Sequence, residues 1–391
     1  MSHEGSQTHD ARNKRTPGFG CCGIAGLLVI LIIAAAASRL LWPPLWGKVV
    51  TGKFRNAVAV RGSDGDPLLW ILADGSFRYV KRTQRPGLTS VESKCAFCKT
   101  WTYVYDPFRR TVRAKFRTDF EAVVLRTWMV YVRGKVWVVV APYKENPATI
   151  LVYNADPPGL IQETPELVAK YPELSSGVID LRLENDPPRI VLNTRDGRSG
   201  LILALGDEKL YASDVEYRKT LPEADGQQMT VLALGRVDNG PRRRLYRVTG
   251  PRNRVTESSL EFALMNPSTL MGGNKVTVEA VSPARDYIEG VLVLQDVDGG
   301  LILHQDAAGK KANRLLTRVG SDGKERWTTT PADFFKELGV DTDRDAMSAI
   351  FFMKSHVSVS RTGNLVLLQL EDVGVIGFDF ETGRKLWEIR P

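Results

Sequence analysis

The stretch that decides the fold is VIGFDFETGRKLWEI, residues 375–389. An apolar run leads into an acidic turn, which Asp379 opens and Gly383 closes, and Trp387 lies on the returning segment. Glycine allows the positive φ that tight turns between strands require. The pattern therefore predicts a strand, a turn and a second strand that carries the tryptophan.

Related strand–turn–strand units recur along the chain. In TRVGSDGKERW, residues 317–327, Asp322, Gly323 and Trp327 take the corresponding roles. Weaker copies surround three further acidic turns, at Asp106, Asp156 and Asp207. The turns are separated by about 50 residues, apart from one double gap with a degenerate copy near residues 240–265, and this period with four strands per unit is typical of a β-propeller blade.

The rest of the chain from residue 53 also predicts β-structure. Short β-branched and aromatic runs alternate with turn residues, and three hairpins are predicted at Asp74–Gly75, Arg133–Gly134 and Asp298–Gly299. Segments 135–140 and 364–370 are apolar at almost every position, which predicts strands buried on both faces. We therefore predict an all-β domain, a β-propeller of six or seven blades.

Two short helices are predicted within this β pattern. Thr164 and Thr330 each precede a proline, as a capping residue before the first turn of a helix does, and Gly339 ends the second segment. Each segment follows an acidic turn, so both helices are expected in connections between the outer strand of one blade and the inner strand of the next. Such connections are frequent sites of binding.

The stretch GFDFETGRKLWE resembles the outer-strand signature of the quinoprotein-like propeller family, the pyrroloquinoline-quinone-type repeat. Asp379, Thr382, Gly383 and Trp387 match its pattern of an aromatic or alanine, x, Asp, x, x, Thr, Gly, three further residues and Trp. The resemblance implies a propeller in which this tryptophan docks between blades. It covers about a tenth of the domain and concerns the fold more than the function.

A membrane anchor is predicted before the propeller. Residues 19–38 hold no charge over twenty positions, enough for an α-helix to cross the roughly 30 Å core of a bilayer. The predicted organisation is a polar tail, a transmembrane helix, a linker and the propeller, at residues 1–18, 19–42, 43–52 and 53–391. A cleaved signal peptide is the alternative, because basic residues precede the apolar run and small residues end it.

The flanking charges do not decide the orientation of this helix. Three basic residues lie on each side, Arg12, Lys14 and Arg15 before it and Arg39, Lys48 and Lys53 after it. Long domains translocate largely regardless of such charges. We therefore predict a single-pass protein of the bacterial inner membrane with its C-terminal domain in the periplasm, in contact with lipid through residues 19–42 and with other membrane or envelope proteins.

The charge of the chain is moderately basic, with 53 Lys and Arg against 45 Asp and Glu. Its densest arginine cluster includes Arg242, Arg243, Arg244 and Arg247. The pattern favours a solvated loop rich in arginine, and a patch that faces anionic lipid headgroups or an acidic partner is the alternative. No nucleic-acid-binding module accompanies it, so nucleic acid is not an expected partner.

Cys95 and Cys98 are the cysteines outside the apolar run. In an oxidising compartment the expected state is a local disulfide between them. A zinc site would need further ligands, and His304 and His356 lie far along the chain. Covalent haem normally needs a histidine where Lys99 stands, and a thioredoxin-like exchange site needs a different context.

The sequence offers few groups for catalysis. It has no serine elbow, HExxH motif, phosphate-binding loop or dinucleotide fingerprint. The aspartates at 341, 343 and 345 alternate as in a calcium loop, but the turn glycine and final glutamate of such a loop are missing. We therefore predict no catalytic residue, no metal and no cofactor.

The expected function is a non-catalytic scaffold or accessory subunit of a membrane or envelope complex. The alternative is a membrane-bound quinoprotein dehydrogenase with a quinone at the propeller axis. The resemblance implies that such enzymes stack their cofactor on a disulfide between adjacent cysteines. Here the adjacent cysteines, Cys21 and Cys22, lie within the predicted span.

Overall fold

The computed structural model shows a chain that is mainly β-sheet from Gly52 onwards. The described residues are 52–75, 77–85, 88–120, 124–142, 148–185, 187–221, 228–237, 240–251, 276–281, 285–309, 312–331, 357–370 and 374–390. The predicted tail, membrane helix and most of the linker lie outside them. Within these ranges, no helix has the length and apolar character needed to cross a bilayer.

The first sheet group contains five strands. They are β1 (Lys53–Arg61), β2 (Pro67–Asp74), β3 (Phe77–Arg85), β4 (Leu88–Asp106) and β5 (Thr111–Phe120). The second half of β4 lies between β2 and β5, whereas its first half pairs only with β3. The hairpin predicted at Asp74–Gly75 is therefore wrong, because β4 takes the edge of β2 and β3 forms an extension with the start of β4.

The second and third sheet groups are four-stranded antiparallel meanders. The second group comprises β6 (Val124–Val132), β7 (Lys135–Pro142), β8 (Thr149–Asn154) and β9 (Gly159–Gln162). The third comprises β10 (Val178–Asn185), β11 (Pro188–Thr194), β12 (Leu201–Ala204) and β13 (Lys209–Tyr211). The hairpin predicted at Arg133–Gly134 joins β6 to β7, and both of its residues have positive φ, 47° and 81°.

The fourth and fifth groups share one continuous sheet. The fourth has three described strands, β14 (Gln228–Arg236), β15 (Arg242–Pro251) and β16 (Thr277–Ala280). The fifth has β17 (Tyr287–Asp296), β18 (Gly299–Gln305), β19 (Arg314–Gly320) and β20 (Glu325–Thr329). The hairpin predicted at Asp298–Gly299 joins β17 to β18. The two groups meet where β15 pairs with the first residues of β17, and this is the region where the sequence repeat is degenerate.

The sixth group is again a four-stranded meander. Its strands are β21 (Val357–Thr362), β22 (Leu365–Leu370), β23 (Gly374–Asp379) and β24 (Lys385–Ile389). Every residue of β22 is buried, as is the Val136–Val140 run in β7. Burial on both faces of these two strands was predicted from their sequence and is confirmed.

Short helices follow the outer strands of the second and third groups. They are α1 (Thr164–Lys170), a 3₁₀ turn (Pro172–Leu174) and α2 (Asp214–Thr220). Helix α1 was predicted, but its cap is Glu163, which forms a capping box with Glu166. The Thr164 hydroxyl instead bonds to the Ile150 backbone, accepting at 2.7 Å and donating at 3.2 Å. The helix predicted after Thr330 lies outside the described residues.

Among the described residues, apolar clusters join five pairs of neighbouring sheet groups. They connect the first group to the second, the second to the third, the fourth to the fifth, the fifth to the sixth, and the sixth back to the first. On the last of these seams, the Gln369 amide accepts from Ala57 N at 2.8 Å and donates to Ala57 O at 2.6 Å. The described chain is thus mainly β-sheet with a propeller-like arrangement, as predicted at that level.

Candidate functional site

The turn between β23 and β24 is organised by one carboxylate. Asp379 Oδ1 accepts from the backbone N and the hydroxyl of Thr382, both at 2.8 Å, and Oδ2 accepts from Asn364 at 2.7 Å. Burial disfavours its charge, but the bonds from Thr382 outweigh this and hold the pKa of Asp379 below its usual value. Gly383 closes the turn with a φ of +69°.

The tryptophan of the fifth group reaches the turn of the sixth. Trp327 Nε1 donates to the Phe380 carbonyl at 2.8 Å. A Cβ atom built on Gly383 would lie 2.5 Å from the Trp327 ring, so the turn needs glycine for close approach as well as for its φ. Trp327 thus joins the fifth sheet group to the sixth, whereas the family resemblance implies a docking role for Trp387.

The same kind of contact occurs at two other seams. Trp70 Nε1, in the first group, donates to the Ala155 carbonyl at 3.3 Å, and the Tyr171 hydroxyl, after the second group, donates to the Glu208 carbonyl. Both acceptors lie in the turn between the third and fourth strands of the next group. The sequence does not reveal these donors, because neither occupies the tryptophan position of the repeat.

Backbone bonding sets the correspondence between the turns. In four groups, the first residue after the third strand donates to the start of the second strand, through Ala155, Leu205, Ser321 and Phe380. The acceptor is the residue before that strand in three groups and its first residue, Pro188, in the third group. By this criterion Gly320, not Asp322, corresponds to Asp379. Asp322 lies two residues further on, where it accepts from Lys324 N at 3.1 Å, while Gly323 has the positive φ of Gly383.

The first group builds this turn without glycine. Asp106 Oδ1 accepts from Phe108 N at 3.1 Å and from Arg109 N at 2.8 Å, which is the role of Asp379. Burial opposes its ionisation, but these bonds and the Arg113 guanidinium lower the pKa of Asp106. Arg110 takes the position of the glycine, with a φ of +54°.

Two arginines enclose the ring of Phe380. The guanidinium carbons of Arg318 and Arg361 lie 3.8 and 3.6 Å from its centroid. Arg318 also donates to Glu381 at 2.7 Å, and Arg361 pairs with Asp298 at 2.9 Å. Because Phe380 is in the sixth group and Arg318 in the fifth, the stack reinforces the seam that Trp327 closes.

Trp387 packs in the apolar cluster that joins the sixth group to the first. Its Nε1 is buried and finds no acceptor among the described residues. The two tryptophans of the repeat therefore lie at successive seams, and only Trp327 has its indole N–H bonded within the described chain.

The predicted arginine patch is divided by the alternation of β15. Arg242 and Arg244 approach Asp286 at 3.8 and 3.1 Å, and Arg247 approaches Glu279 at 3.9 Å. By strand alternation, Arg243 shares the face of Arg247, opposite to Arg242 and Arg244, and its charge acts on Glu289. Burial raises the pKa of Glu289, although the arginines around it favour its charged form. Sequence proximity therefore does not place these arginines on one surface.

The backbone does not favour the predicted disulfide. Cys95 and Cys98 both lie on β4, which is continuous from Leu88 to Asp106. Three residues of an extended strand span about 10 Å between Cα atoms, whereas a disulfide joins Cα atoms up to about 6.8 Å apart. The pairing of β4 with β3 contains one irregularity between the two cysteines, because Phe77 pairs with Phe97 whereas the next residue, Arg78, pairs with Cys95.

His304 belongs to a buried polar ladder. It is 1% exposed, and its Nε2 lies 2.8 Å from the Thr317 hydroxyl, which in turn bonds to Thr328. Burial lowers the pKa of His304 and so favours its neutral form. In the described part of the chain, no group of three or more His, Cys, Asp or Glu residues is placed to hold a metal ion.

A basic and aromatic surface lies on the first group. Lys115 Nζ is 3.8 Å from the Trp101 ring centroid, Lys99 Nζ is 5.3 Å away and Arg117 Cζ is 5.8 Å away. Trp101 pairs with Arg117, and Lys99 with Asp119, so these side chains share one face. We call Lys99, Trp101, Lys115 and Arg117 the Trp101 cluster. The pairing of β4 with β5 brings residues 99–101 next to residues 115–117, so the spacing of these residues in the sequence does not predict the Trp101 cluster.

Large apolar side chains are exposed on the outer elements of the first two groups. Phe108 is 51% exposed and Val112 44%, while Leu160 and Ile161 on β9 are 43% and 49% exposed. In the described sheets, β5 and β9 each pair on one side only. These strands therefore combine an open edge with exposed apolar side chains.

Comparison with known proteins gives no family. No protein family matches the sequence, and no curated protein matches it. Among solved structures, the WD40 domain of SCAP from fission yeast is 10% identical, with a TM-score of 0.22, and the match covers 82% of this chain and 80% of that one. The computationally designed Ika8 protein is 13% identical, with a TM-score of 0.20 and 86% of each chain covered.

A quinohemoprotein alcohol dehydrogenase from Pseudomonas putida HK5 is also similar to this chain. It is 12% identical, with a TM-score of 0.23, and the match covers 83% of this chain and 57% of the dehydrogenase. TM-scores at this level carry no argument about relationship or activity. The propeller-like architecture therefore rests on the strand pairing and the seams of the chain itself.

Proposed function

We propose that this chain is a membrane-anchored six-bladed β-propeller that acts as a non-catalytic scaffold for protein partners. The observation that carries the proposal is the set of exposed apolar side chains on the outer elements of the first two groups, Phe108, Val112, Leu160 and Ile161. Apolar side chains that stay exposed along an open strand edge offer a surface that a protein partner can cover. An open strand edge beside them can add a strand from a partner.

The blade count is supported by the contacts between first strands. Strand β1 contacts β6 and β21, and β17 contacts β14 and β21. First strands that face one another across successive groups are the inner strands of a propeller. Each sheet group then forms one blade, and the fourth blade is the divergent one.

The anchoring is supported by the apolar residues 19–42 and by their distance from the first strand. Only residues 43–52 separate that segment from β1. Ten extended residues span at most about 35 Å, so the first blade would stay near the membrane surface. Anchoring at that distance raises the effective concentration of the scaffold near other membrane proteins. The proposed location is the periplasmic side of a bacterial inner membrane.

The test is affinity purification of the full chain from native membranes after mild crosslinking. We expect a stoichiometric partner that is lost with Ile161→Glu and kept with Val215→Glu, since Val215 on α2 is 66% exposed but lies in another group. Matching thermal unfolding of the two variants controls for folding. Recovery of the chain alone, or bound quinone with dye-coupled alcohol oxidation, would overturn the scaffold.

A further inference from the structure

The Trp101 cluster lies where the chain enters the sheet. A Cβ atom built on Gly52 would be 2.5 Å from the Asp74 carbonyl oxygen and 3.2 Å from Gly75 N. A Cβ atom on Gly75 would be 2.8 Å from Trp101 Nε1 and 3.3 Å from Lys99 Cε. The first residues of the domain are thus next to the indole and to one lysine of the cluster.

The cluster concentrates positive charge. Its three cations lie around one indole ring. The nearby carboxylate of Asp119 forms an ion pair with Arg117, with 2.7 Å between Nε and Oδ1. Lys115 and Arg117 are exposed on β5, the outer strand. Burial and repulsion from Arg117 lower the pKa of Lys99 although Asp119 attracts it, and burial and repulsion from Lys99 lower the pKa of Lys115. A bound anion would relieve this repulsion.

The extension formed by β3 and the start of β4 begins at the same end of the sheet. Its sequence is basic, with Arg78, Lys81, Arg82, Arg85 and Lys94 against Glu92. The sequence of this extension is therefore basic, and it continues from the strand that carries Lys99 and Trp101. These residue types favour the interface of a bilayer and attract anionic lipid.

We propose that the Trp101 cluster binds the phosphate headgroups of anionic phospholipids in the bilayer that holds residues 19–42. This inference rests on the proposed anchoring. Lipid is favoured over an acidic protein segment because only residues 43–52 separate the proposed anchor from β1, the strand beside this cluster. The headgroups would fix the orientation of the first blade relative to the bilayer.

The test uses the full chain in nanodiscs of phosphatidylcholine alone or with about 30% phosphatidylglycerol. Lysines are labelled with an amine-reactive ester and located by mass spectrometry. Labelling of Lys99 and Lys115 should fall about threefold or more in the anionic nanodiscs and recover in about 1 M salt. Lys209, whose Nζ lies 5.0 Å from the Tyr211 ring in the third group, is the matched control and should not change.

Variants assign the effect to the cluster. Lys115→Glu should return labelling of Lys99 to its level in phosphatidylcholine, whereas Lys209→Glu should leave the protection intact. If Lys115→Glu unfolds, Arg117→Gln makes the same comparison, since its side chain is exposed.

The outcomes separate the lipid site from the anchor. Equal labelling in both nanodiscs, with the chain inserted in each, would overturn the lipid site and leave the anchored scaffold standing. A chain that enters neither nanodisc would overturn the anchoring. Equal protection by soluble polyglutamate in phosphatidylcholine nanodiscs would assign the cluster to an acidic protein segment instead of lipid.

Discussion

Gly383 shows how one residue serves two sheets. Its φ of +69° is required by the turn after β23, and its missing side chain admits the ring of Trp327 from the neighbouring group. The sequence predicts the first requirement, because a glycine after an acidic turn is a local signal. It does not predict the second, because the ring comes from a residue 56 positions earlier in the chain.

Substitution of Gly383 should therefore lower the free energy of unfolding by more than backbone strain alone would. We expect Gly383→Ala to lower the free energy of unfolding by about 2–4 kcal/mol, from the left-handed φ and from overpacking against the indole. Gly363→Ala is the matched control, since its φ is +58° and nothing lies within 4 Å of its added Cβ. Denaturant unfolding measures both variants, and equal losses would contradict the double role.

Arg110 and Glu208 mark the limit of turn prediction at this scale. Both have positive φ, 54° and 53°, although neither position is a glycine. Their turns were placed approximately, from nearby aspartates, and the bonding that defines the register is visible only in the structure. Asp322 was matched to Asp379 for the same reason, although it lies two residues later in its turn.

At the scale of elements, the strands were more predictable than their partners. The apolar runs in β7 and β22 identified buried strands, and the turn at Arg133–Gly134 identified a hairpin. The same local logic failed at Asp74–Gly75, because the partner of β2 is the far half of β4. A strand of 19 residues that serves two pairings has no local signal for where its partner changes.

The continuity of β4 gives a prediction for its cysteines. We expect no bond between Cys95 and Cys98 in the folded chain, because an extended strand holds their Cα atoms about 10 Å apart. The measurement is mass spectrometry after alkylation without reductant, with alkylation of the reduced, unfolded chain as the control for complete labelling. A linked peptide containing both cysteines would show that the strand bends at this position.

At the scale of the whole molecule, the repeat was predictable and the closure was not. A period of about 50 residues indicated successive sheet groups before any strand was placed. The residues that hold the seams together are scattered, and Gln369 is a clear case. It appeared in the sequence only as a polar interruption of an apolar strand, yet it pairs with a backbone 312 residues away.

Closure through Gln369 should be measurable. We expect Gln369→Leu to lower the free energy of unfolding by about 2–3 kcal/mol, because it leaves the buried N–H and C=O of Ala57 without this partner. Thr362→Val is the milder control on the same seam, since its bond to Ala59 O is 3.4 Å long and only part-buried. Similar losses for the two variants would contradict a special role for the glutamine.

The seam between the first and last sheets also bears on how the protein is made. Strand β1 is among the first parts of the domain to leave the ribosome, and its partners on β22 are among the last. At about 5–20 residues per second, the 312 residues between Ala57 and Gln369 take about 15–60 s to synthesise. Throughout that interval the apolar face of β1 lacks its final cover, which makes the newborn chain a natural client for chaperones.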